Sequence, residues 1–425
     1  MLVRSLVAAA VIAGALSVPA PAQAAAPGPV LDPSFGSGGW VSNDHGPGDS
    51  VLDLSLQPDG KILAIGSGNE GYFVVERHRT DGSLDGSFGT GGFVVTDVEP
   101  ASFWDQPTAV TALPDGRVLA AGSVSRNGFA FPALIRYLAD GSVDTSYGTD
   151  GRVFPALSAV TYAARLAGLV RQPNGRVVLA LEGATTDGSP PPALVRLLPS
   201  GALDSSFGTG GVVYADLGPR EFDFVSGVAL APDGDIVVAG ATGYYSTLPE
   251  PTADLLLARF TARGALDKSF GSGGRVVRDI TGPQGIDGTA GLAVGRDGAV
   301  VQTAWLQEGD NRRYGILRYL ANGEPDRTFG RAGYVAASGP VESPIIRANG
   351  RITTTGSAGS NVALGQYRAD GRPDASFGTR GVAVADIGSS SHGGVLKIQP
   401  DGRLLVGGTT GDQGDSSFGI FRFLP

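Results

Sequence analysis

Short apolar runs separated by polar turn residues recur along the chain, and one complete unit is visible between residues 50 and 97. Its runs are VLDLSL (51–56), KILAIGS (61–67), YFVVERH (72–78) and GGFVVTD (91–97). They are rich in β-branched and aromatic residues and are bounded by Gly, Pro and Asp, which is typical of β-strands. No long segment has the 3.6-residue period of an amphipathic helix. The pattern predicts four antiparallel strands per unit.

Two motifs alternate along the chain. A corner before the fourth run reads LDPSFG (31–36), LDGSFG (84–89), VDTSYG (143–148), LDSSFG (203–208), LDKSFG (266–271), PDRTFG (325–330) and PDASFG (373–378). A turn between the first two runs reads QPDG (57–60), LPDG (113–116), QPNG (172–175), APDG (231–234), GRDG (295–298), RANG (347–350) and QPDG (399–402). Asp-Gly and Asn-Gly supply the positive φ angles that hairpin turns require. Successive corners begin roughly 48 to 63 residues apart, which indicates a repeat architecture.

Seven units of four antiparallel strands predict an all-β fold, a seven-bladed β-propeller. The chain ends in FGIFRFLP (418–425), which resembles the third run of a unit. Residues 31–44, LDPSFGSGGWVSND, resemble a corner followed by a fourth run. We therefore expect the last blade to be shared between residues 31–44 and 393–425. The N-terminal strand would join the C-terminal blade, close the ring and cover the sheet edges.

The LDxSFGxGGxV corner paired with QPDGKILxxG resembles the delta-60 repeat family, a group of bacterial β-propeller repeats of unknown function. The resemblance covers essentially the whole chain after the first 24 residues. It departs from the pattern where Tyr147 replaces Phe, where Asn174 replaces Asp, and where residues 295–298 and 347–350 lack the Pro. It implies a propeller fold and no particular reaction or ligand.

The first 24 residues have the layout of a secretory signal peptide. Arg4 precedes the apolar segment LVAAAVIAGAL (6–16), and Ala22-Gln23-Ala24 has the small-x-small form of a cleavage site. We expect cleavage near Ala24, a secreted extracellular protein, and one propeller domain over residues 25–425. No later segment approaches the roughly 20 apolar residues of a membrane helix, so no membrane span is expected.

Charge and cysteine content limit the partners further. The 425 residues carry a formal charge of −9 and contain no cysteine. An acidic surface disfavours nucleic acid and anionic membranes as partners. The absence of cysteine excludes disulfides and Cys-based metal sites. A monomer with no metal and no cofactor is expected.

Residues that recur in every unit are interpreted as structural. The corner aromatic, Phe in six copies and Tyr147 in one, is expected to wedge between neighbouring blades. An Arg stands four residues before the second turn of most units, and an Asp stands four residues after it, as in Arg77 and Asp85. Equal offsets about a hairpin turn predict a bidentate ion pair that fixes the corner.

Unique residues are concentrated in the loops of variable length. We expect these loops to gather on one face of the disc, where rigid scaffolds carry function. Aromatic rings beside carboxylates suit carbohydrate or peptide surfaces, although the same rings are equally suited to local packing against the sheet. The aromatic candidates for ligand binding are Phe103, Trp104, Phe129, Phe131, Tyr162, Phe222, Phe224, Tyr244, Tyr245 and Trp305.

Two histidines are candidates for the mouth of the channel. His45 leads into the first complete blade and His392 into the shared blade, so ring closure would make their blades neighbours. Asp44 and Asp386 lie nearby in the same loops, and a His/Asp pair there would bind a metal or serve in acid–base chemistry, whereas a lone surface histidine has no such role. No catalytic residue is assigned. The chain has no H-E-x-x-H, G-x-S-x-G or D-x-D-x-D-G motif.

These observations favour a secreted, non-catalytic propeller that binds or scaffolds an extracellular protein, peptide or glycan. The alternative is an extracellular propeller enzyme, a hydrolase or a lyase, with its site at the channel mouth. Catalysis would require ionisable residues that are unique to particular blades and that converge, and the sequence offers only His45 and His392 for that role.

Overall fold

The fold is taken from a computed structural model that describes part of the chain. The described residues are 30–425 except 47, 69–70, 101, 103, 127, 156, 158–163, 183–190, 216, 218–221, 245–251 and 412–414. The signal peptide predicted over residues 1–24 lies outside them.

The described residues form β-strands, and α-helix is absent from them. The first half of the chain contains β1 (Trp40–Asn43), β2 (Ser50–Leu56), β3 (Ile62–Ser67), β4 (Phe73–His78), β5 (Phe93–Thr96), β6 (Asp105–Ala112), β7 (Val118–Arg126), β8 (Phe129–Tyr137), β9 (Arg152–Val153), β10 (Leu166–Arg171), β11 (Val177–Leu181), β12 (Ala193–Leu197) and β13 (Val212–Tyr214). The second half contains β14 (Phe222–Leu230), β15 (Ile236–Tyr244), β16 (Thr252–Phe260), β17 (Arg275–Arg278), β18 (Ile286–Val294), β19 (Val300–Glu308), β20 (Asn311–Tyr319), β21 (Tyr334–Ala336), β22 (Pro344–Ile346), β23 (Ile352–Ala358), β24 (Asn361–Tyr367), β25 (Val382–Ala385), β26 (Ser391–Ile398), β27 (Leu404–Thr410) and β28 (Ser417–Phe423).

Antiparallel pairing arranges these strands in groups of four. The four-stranded sheets are β2-β3-β4-β5, β6-β7-β8-β9, β10-β11-β12-β13, β22-β23-β24-β25 and β1-β28-β27-β26. The antiparallel ladders β14 to β17 and β18 to β21 are joined into one eight-stranded sheet by a single parallel bridge between Ala253 and Ile286. The predicted all-β fold with four-stranded antiparallel units is confirmed. The strands form separate sheets, and no sheet closes on itself.

The N-terminal strand belongs to a C-terminal sheet. β1 pairs with β28 over four residues, from Trp40 opposite Phe421 to Asn43 opposite Phe418. Asp32 extends this pairing, because its backbone N–H donates to the carbonyl of Arg422 at 2.7 Å. The first strand of this sheet, β26, also has an irregular register between Gly393 and Val395, as the first strands of several other groups do.

The turn motifs adopt the geometry that their sequences predict. In the first group the N–H of Gly60 donates to the carbonyl of Gln57 at 2.9 Å, and Gly60 has a φ of 86°. Gly141 has a further constraint. A Cβ at this position would lie 2.5 Å from the backbone nitrogen of Gly89 in the preceding group. Glycine therefore allows one sheet to approach the next.

The corner residues connect neighbouring groups. Phe88 is fully buried in a cluster with Val75 of its own sheet and Val110 of the next one. Nε of Arg77 donates to Asp85 at 2.8 Å, and Nη1 donates to the carbonyl of Ala139 in the next group at 2.5 Å. The same ion pair recurs as Arg136–Asp144, Arg196–Asp204, Arg259–Asp267, Arg318–Asp326 and Arg422–Asp32. The structural role of the corner aromatic and of the ion pair is confirmed, but the predicted bidentate geometry is wrong: Nε of Arg77 contacts one oxygen of Asp85, while its two Nη atoms donate to Ala139 and Ser87.

Hydrophobic clusters lie between consecutive groups rather than within one central core. One cluster joins the first group to the second through Leu63 and Val118, and another joins the second to the third through Leu119 and Leu179. A further cluster contains Phe35 and Phe418 of the β1-β28 sheet together with Ile62 of the first group. Residues from the two ends of the chain therefore share one packed interface.

In the described part of the chain, no helix has the length and apolar character needed to cross a membrane.

Candidate functional site

The connecting segments lie at two different ends of the sheets. The Asp-Gly or Asn-Gly turn follows the first strand of a group, as after β2 and β26, and the corner follows the third strand. The segments before each first strand and between the second and third strands lie at the opposite end. These segments vary in length and sequence, so that end, here called the variable face, carries the differences between units.

Buried aspartates order the loops of the variable face. Oδ2 of Asp105 accepts the N–H of Val98 at 2.7 Å, and Oδ2 of Asp287 accepts the N–H of Ile280 at 2.6 Å. Asp49 accepts the N–H of His45 in the same way, at 2.5 Å. Burial raises the pKa of Asp105 and of Asp287 above the usual value, against the lowering effect of these hydrogen bonds. These aspartates hold the loop backbone, a role that the sequence analysis did not identify.

His392 has a hydrogen-bond partner on each ring nitrogen. It is the second residue of β26, and its side chain is 48% exposed. Nε2 lies 3.2 Å from Oε2 of Glu342, in the segment before β22, and Nδ1 contacts Oγ of Ser357 near the end of β23. Because a carboxylate only accepts hydrogen bonds, Nε2 carries a proton, and in the neutral ring Nδ1 accepts from the Ser357 hydroxyl.

This arrangement is suited to proton transfer. The hydrogen bond to Glu342 raises the pKa of His392 above its usual value, although partial burial opposes the shift. The protonated imidazole is therefore favoured, while Glu342 orients the ring and Ser357 supplies a polarised hydroxyl. A hydroxyl, a base and an orienting carboxylate in hydrogen-bond contact form the constellation of an activated nucleophile.

A polar groove lies close to this cluster on the variable face. It has a volume of about 500 Å³. Its walls are formed by Ser360, Asn361, Asp386, Gly388, Ser389, Ser390 and Gly411. The N–H of Ser391, which precedes His392, donates to the carbonyl of Ser360 at 2.7 Å. Hydroxyl, amide and carboxylate groups therefore line a concave surface next to His392, which is suited to a ligand that is itself rich in hydroxyl groups.

His45 lies in a buried charged cluster instead. Its Nε2 is 2.7 Å from Oε1 of Glu76, its side chain is 7% exposed, and its ring packs against Phe93 and Phe418 at centroid distances of 4.7 and 5.1 Å. The other oxygen of Glu76 lies 2.8 Å from Nε2 of His78. Nδ1 of His78 lies 2.9 Å from the carbonyl of Gly82. Both partners of His78 are acceptors, so its ring carries two protons and a positive charge.

The pKa values follow from this pairing. Burial alone would raise the pKa of Glu76, but the hydrogen bonds from His45 and His78 lower it to about 2. Burial lowers the pKa of His78, but its hydrogen bond and charge interaction with Glu76 raise it above the usual value. Because Glu76 and His78 are both fully buried, this cluster acts on stability rather than on a substrate.

The two histidine candidates are paired with different carboxylates. His392 contacts Glu342 and Ser357, whereas His45 contacts Glu76. Among the described residues, no hydrogen bond or ion pair joins the two histidines, and none joins either one to the Asp44 or Asp386 side chain. The sequence pattern predicts His392 as a candidate but gives no indication of Ser357 and Glu342, which belong to a different group.

The aromatic candidates are dispersed. Trp305 on β19 is half-buried, lies opposite Gly288 and stacks under the Arg312 guanidinium at 4.9 Å. Trp104 is half-buried, Phe129 is 48% exposed, and Phe131 packs against a core cluster. Phe224 is half-buried on β14. Phe103, Tyr162 and Tyr245 lie outside the described residues, and for Phe222 and Tyr244 only the backbone is described.

Three carboxylates also converge near β16 and β18. One oxygen each of Asp254, Asp279 and Asp287 lies within 4.8 Å of the others. Both oxygens of Asp287 already accept hydrogen bonds, from the Thr281 hydroxyl at 2.7 Å and from the Ile280 N–H. Loop capping accounts for this aspartate, so the group is not assigned as a metal centre.

Five segments of the chain match a known family model. They are residues 57–88, 113–147, 172–207, 231–270 and 399–425, and the family is described as "Domain of unknown function (DUF5122) beta-propeller". These matches support a β-propeller repeat family of unknown function. All but the last segment run from the turn motif to the corner, so the residues that match are those with structural roles. No curated protein matches the sequence.

Solved structures share the fold at low identity. A polysaccharide lyase, an ulvan lyase of family PL25, has a TM-score of 0.54 at 11% identity over 90% of this chain and 96% of its own. The ulvan lyase bound to -[GlcA(1-4)Rha3S]- has a TM-score of 0.51 at 10% identity with the same coverage. A protein of unknown function from Dyadobacter fermentans has a TM-score of 0.46 at 12% identity over 92% of this chain and 99% of its own.

Proposed function

We propose that the protein is an extracellular enzyme, a hydrolase or lyase that acts on a polysaccharide, with its site at His392. The observation that carries this proposal is the contact of both ring nitrogens of His392 with Glu342 and Ser357, next to the polar groove. The likeness of fold to an ulvan lyase supports a polysaccharide as the substrate class. The extracellular location rests on the signal-peptide pattern of residues 1–24.

In hydrolysis His392 would accept a proton from the water that attacks the anomeric carbon as the glycosidic C–O bond breaks, the leaving oxygen would take a proton from solvent, and Glu342 would stabilise the imidazolium that forms. Proton transfer by a positioned side chain contributes typically about 10²- to 10⁴-fold to a rate. The hydroxyl and amide groups of Ser360, Asn361 and Ser389 would hold the sugar ring. Among the described residues no arginine or lysine lines the groove, and the chain is acidic overall, so hydrolysis of a neutral polysaccharide is expected rather than elimination, which requires an anionic uronate.

The test is a substrate panel with two readouts. Purified protein is incubated with neutral and acidic polysaccharides. Hydrolysis is detected as new reducing ends without an unsaturated product. Elimination is detected as the ultraviolet absorbance of an unsaturated uronate. His392→Asn should lower the cleavage rate about 10²-fold or more while leaving polysaccharide binding intact. Cleavage that is unchanged in His392→Asn would contradict the assignment of this residue.

A second candidate function is non-catalytic binding of a glycan, peptide or protein. It is favoured by Trp305, a half-buried ring that no other unit has at this position and that stacks with Arg312. A flat aromatic face of this kind is a common platform for sugars and peptides. Binding of a polysaccharide without cleavage by the wild-type protein, weakened by Trp305→Ala, would support this function over the enzyme.

We also propose that the four-stranded groups form a closed seven-bladed ring. Three contacts support closure between the C-terminal sheet and the first group. Nη1 of Arg422 donates to the carbonyl of Thr80, the N–H of Gly36 donates to the carbonyl of Asp81 at 2.7 Å, and Phe35 packs in the shared cluster. The same pair of hydrogen bonds joins consecutive groups elsewhere, for example Arg77 to Ala139 and Gly89 to Asp140.

A further inference from the structure

A separate cavity lies between the second and third groups, at the opposite end of the sheets from His392. Its volume is about 260 Å³. The Gly-containing turns that follow β6 and β10 form part of its wall, and Leu119, Val177 and Leu198 contribute apolar surface. The cavity therefore lies on the face with regular turns, away from the site proposed above.

Tyr147 gives this cavity a polar group that the other units lack. Every other corner has Phe at this position. Tyr147 lines the cavity and is 1% exposed, and its hydroxyl has no hydrogen-bond partner in the part of the chain that the structure describes. The buried Tyr137 differs, because its hydroxyl donates to Oγ1 of Thr96 at 2.8 Å. A buried hydroxyl without a partner costs stability, so its presence requires an explanation.

Arg171 is the second unusual residue at the same cavity. It ends β10, where the other units have an apolar residue: Leu56, Ala112, Leu230, Val294, Ile346 and Ile398. Its Nε is buried without a hydrogen-bond partner, and no described residue forms an ion pair with it. The other arginines of the cavity wall are already paired, Arg117 with Asp115 and Arg136 with Asp144. Arg171 as a residue is half-buried, and its charge has no ion-pair partner among the described residues.

We propose that this cavity is a binding site for a small carboxylate with an apolar body. The carboxylate would accept hydrogen bonds from the Arg171 guanidinium and the Tyr147 hydroxyl, which satisfies both buried groups at once. The apolar surface of Leu119, Val177 and Leu198 would cover the rest of the ligand. The two departures from the repeat converge on one cavity, and each supplies a donor.

Benzoate is the probe for the test, with binding to the full chain measured by calorimetry and by ligand-observed NMR. Arg171→Leu and Tyr147→Phe introduce the residues that other units carry, so both variants are expected to fold. Arg171→Leu should weaken benzoate binding about tenfold or more, because a charge-assisted hydrogen bond is lost. Tyr147→Phe should weaken it severalfold, and benzyl alcohol, which lacks the carboxylate, should not compete.

Arg403→Ala is the matched control. Arg403 lines the corresponding groove between the C-terminal sheet and the first group, and it is paired with Asp32 and Asp401. Its removal should leave benzoate binding unchanged. Equal affinity of the wild-type protein and Arg171→Leu would overturn the proposal, as would the absence of binding to folded wild-type protein at millimolar benzoate. Neither result would bear on polysaccharide cleavage at His392, because the two sites lie at opposite ends of the sheets.

Discussion

Glu76 and His78 are polar residues at positions that are apolar or aromatic in the neighbouring unit. They align with Ile135 and Tyr137 of the second group, because Glu76 pairs with Ala64 and Ile135 pairs with Ala120 at the same point of the ladder. Both polar side chains are fully buried. Their ion pair is therefore specific to the first group and is not needed to build the fold.

The stability of this ion pair depends on pH in both directions. The pKa of Glu76 is lowered to about 2, so its contribution is present above the unfolded value near 4.5 and is lost as pH falls toward 2. The pKa of His78 is raised above 6.5, so its contribution is complete below 6.5 and is lost as pH rises through the folded value. We expect the melting temperature to decline on both sides of this window.

The double variant Glu76→Ile/His78→Tyr isolates this effect, since it carries the residues of the second group. Its melting temperature should depend less on pH than that of the wild type, both below pH 4.5 and above pH 6.5. At neutral pH the double variant also leaves the buried Nε2 of His45 without Glu76, so it should gain less than the replacement of an isolated ion pair, whereas Glu76→Gln alone should cost about 3–5 kcal/mol. Parallel pH profiles for the double variant and the wild type would show that the pair does not control the dependence.

At the scale of the element, the corner ion pair fixes each group to the next. Arg77 donates to Asp85, to the Ser87 hydroxyl at 2.9 Å and to the carbonyl of Ala139. The sixth unit has Gln366 at the equivalent position, and Arg351 and Arg368 contact its Asp374 instead. In the first group Lys61 and Arg79 also contact Asp85, at 3.4 and 3.9 Å, so Arg77→Gln keeps cations beside the aspartate as in the sixth unit and removes only the hydrogen bonds of the Arg77 guanidinium.

We expect Arg77→Gln to reduce the free energy of unfolding by about 1.5–3 kcal/mol, the range for hydrogen bonds to charged groups. Arg372→Gln is the control, because the Arg372 side chain is 81% exposed and its ion pair is with the exposed Asp370, so its change should stay within about 0.5 kcal/mol. Chemical denaturation of both variants measures the difference. Equal stability of the two variants would mean that the corner does not depend on its guanidinium.

The elements were predictable from sequence to the extent that they repeat. Runs such as KILAIGS and turns such as QPDG occur in unit after unit, and the structure confirms the strand, the turn and the corner. The partners of His392 were not predictable. Ser357 and Glu342 lie 35 and 50 residues away in sequence, on another group, and exposed polar residues there leave no periodic signal. Departures from the repeat, such as Tyr147 and Arg171, were visible, but only the structure shows that they meet.

At the scale of the whole molecule, the proposed ring closure depends on the pairing of β1 with β28 and on the packing of the C-terminal sheet against the first group, which the chain connects only through β1. Phe35 is fully buried between the C-terminal sheet and the first group, and Phe207 occupies the same position between the third and fourth groups. In a closed ring the two interfaces resist unfolding alike. In an open arrangement the Phe35 interface would separate before the rest of the molecule.

This difference can be measured with a matched pair of variants. Phe35→Ala and Phe207→Ala remove the same side chain, and each should lower the free energy of unfolding by about 3–5 kcal/mol if the ring is closed. Deletion of residues 31–44 should cost more, because it also removes β1 and leaves the buried Arg422 without Asp32. Phe129→Ala, at a ring that is 48% exposed, is the control and should have little effect. The two ends of the chain separate in solution if Phe35→Ala lowers the free energy of unfolding as little as Phe129→Ala does, while Phe207→Ala lowers it strongly.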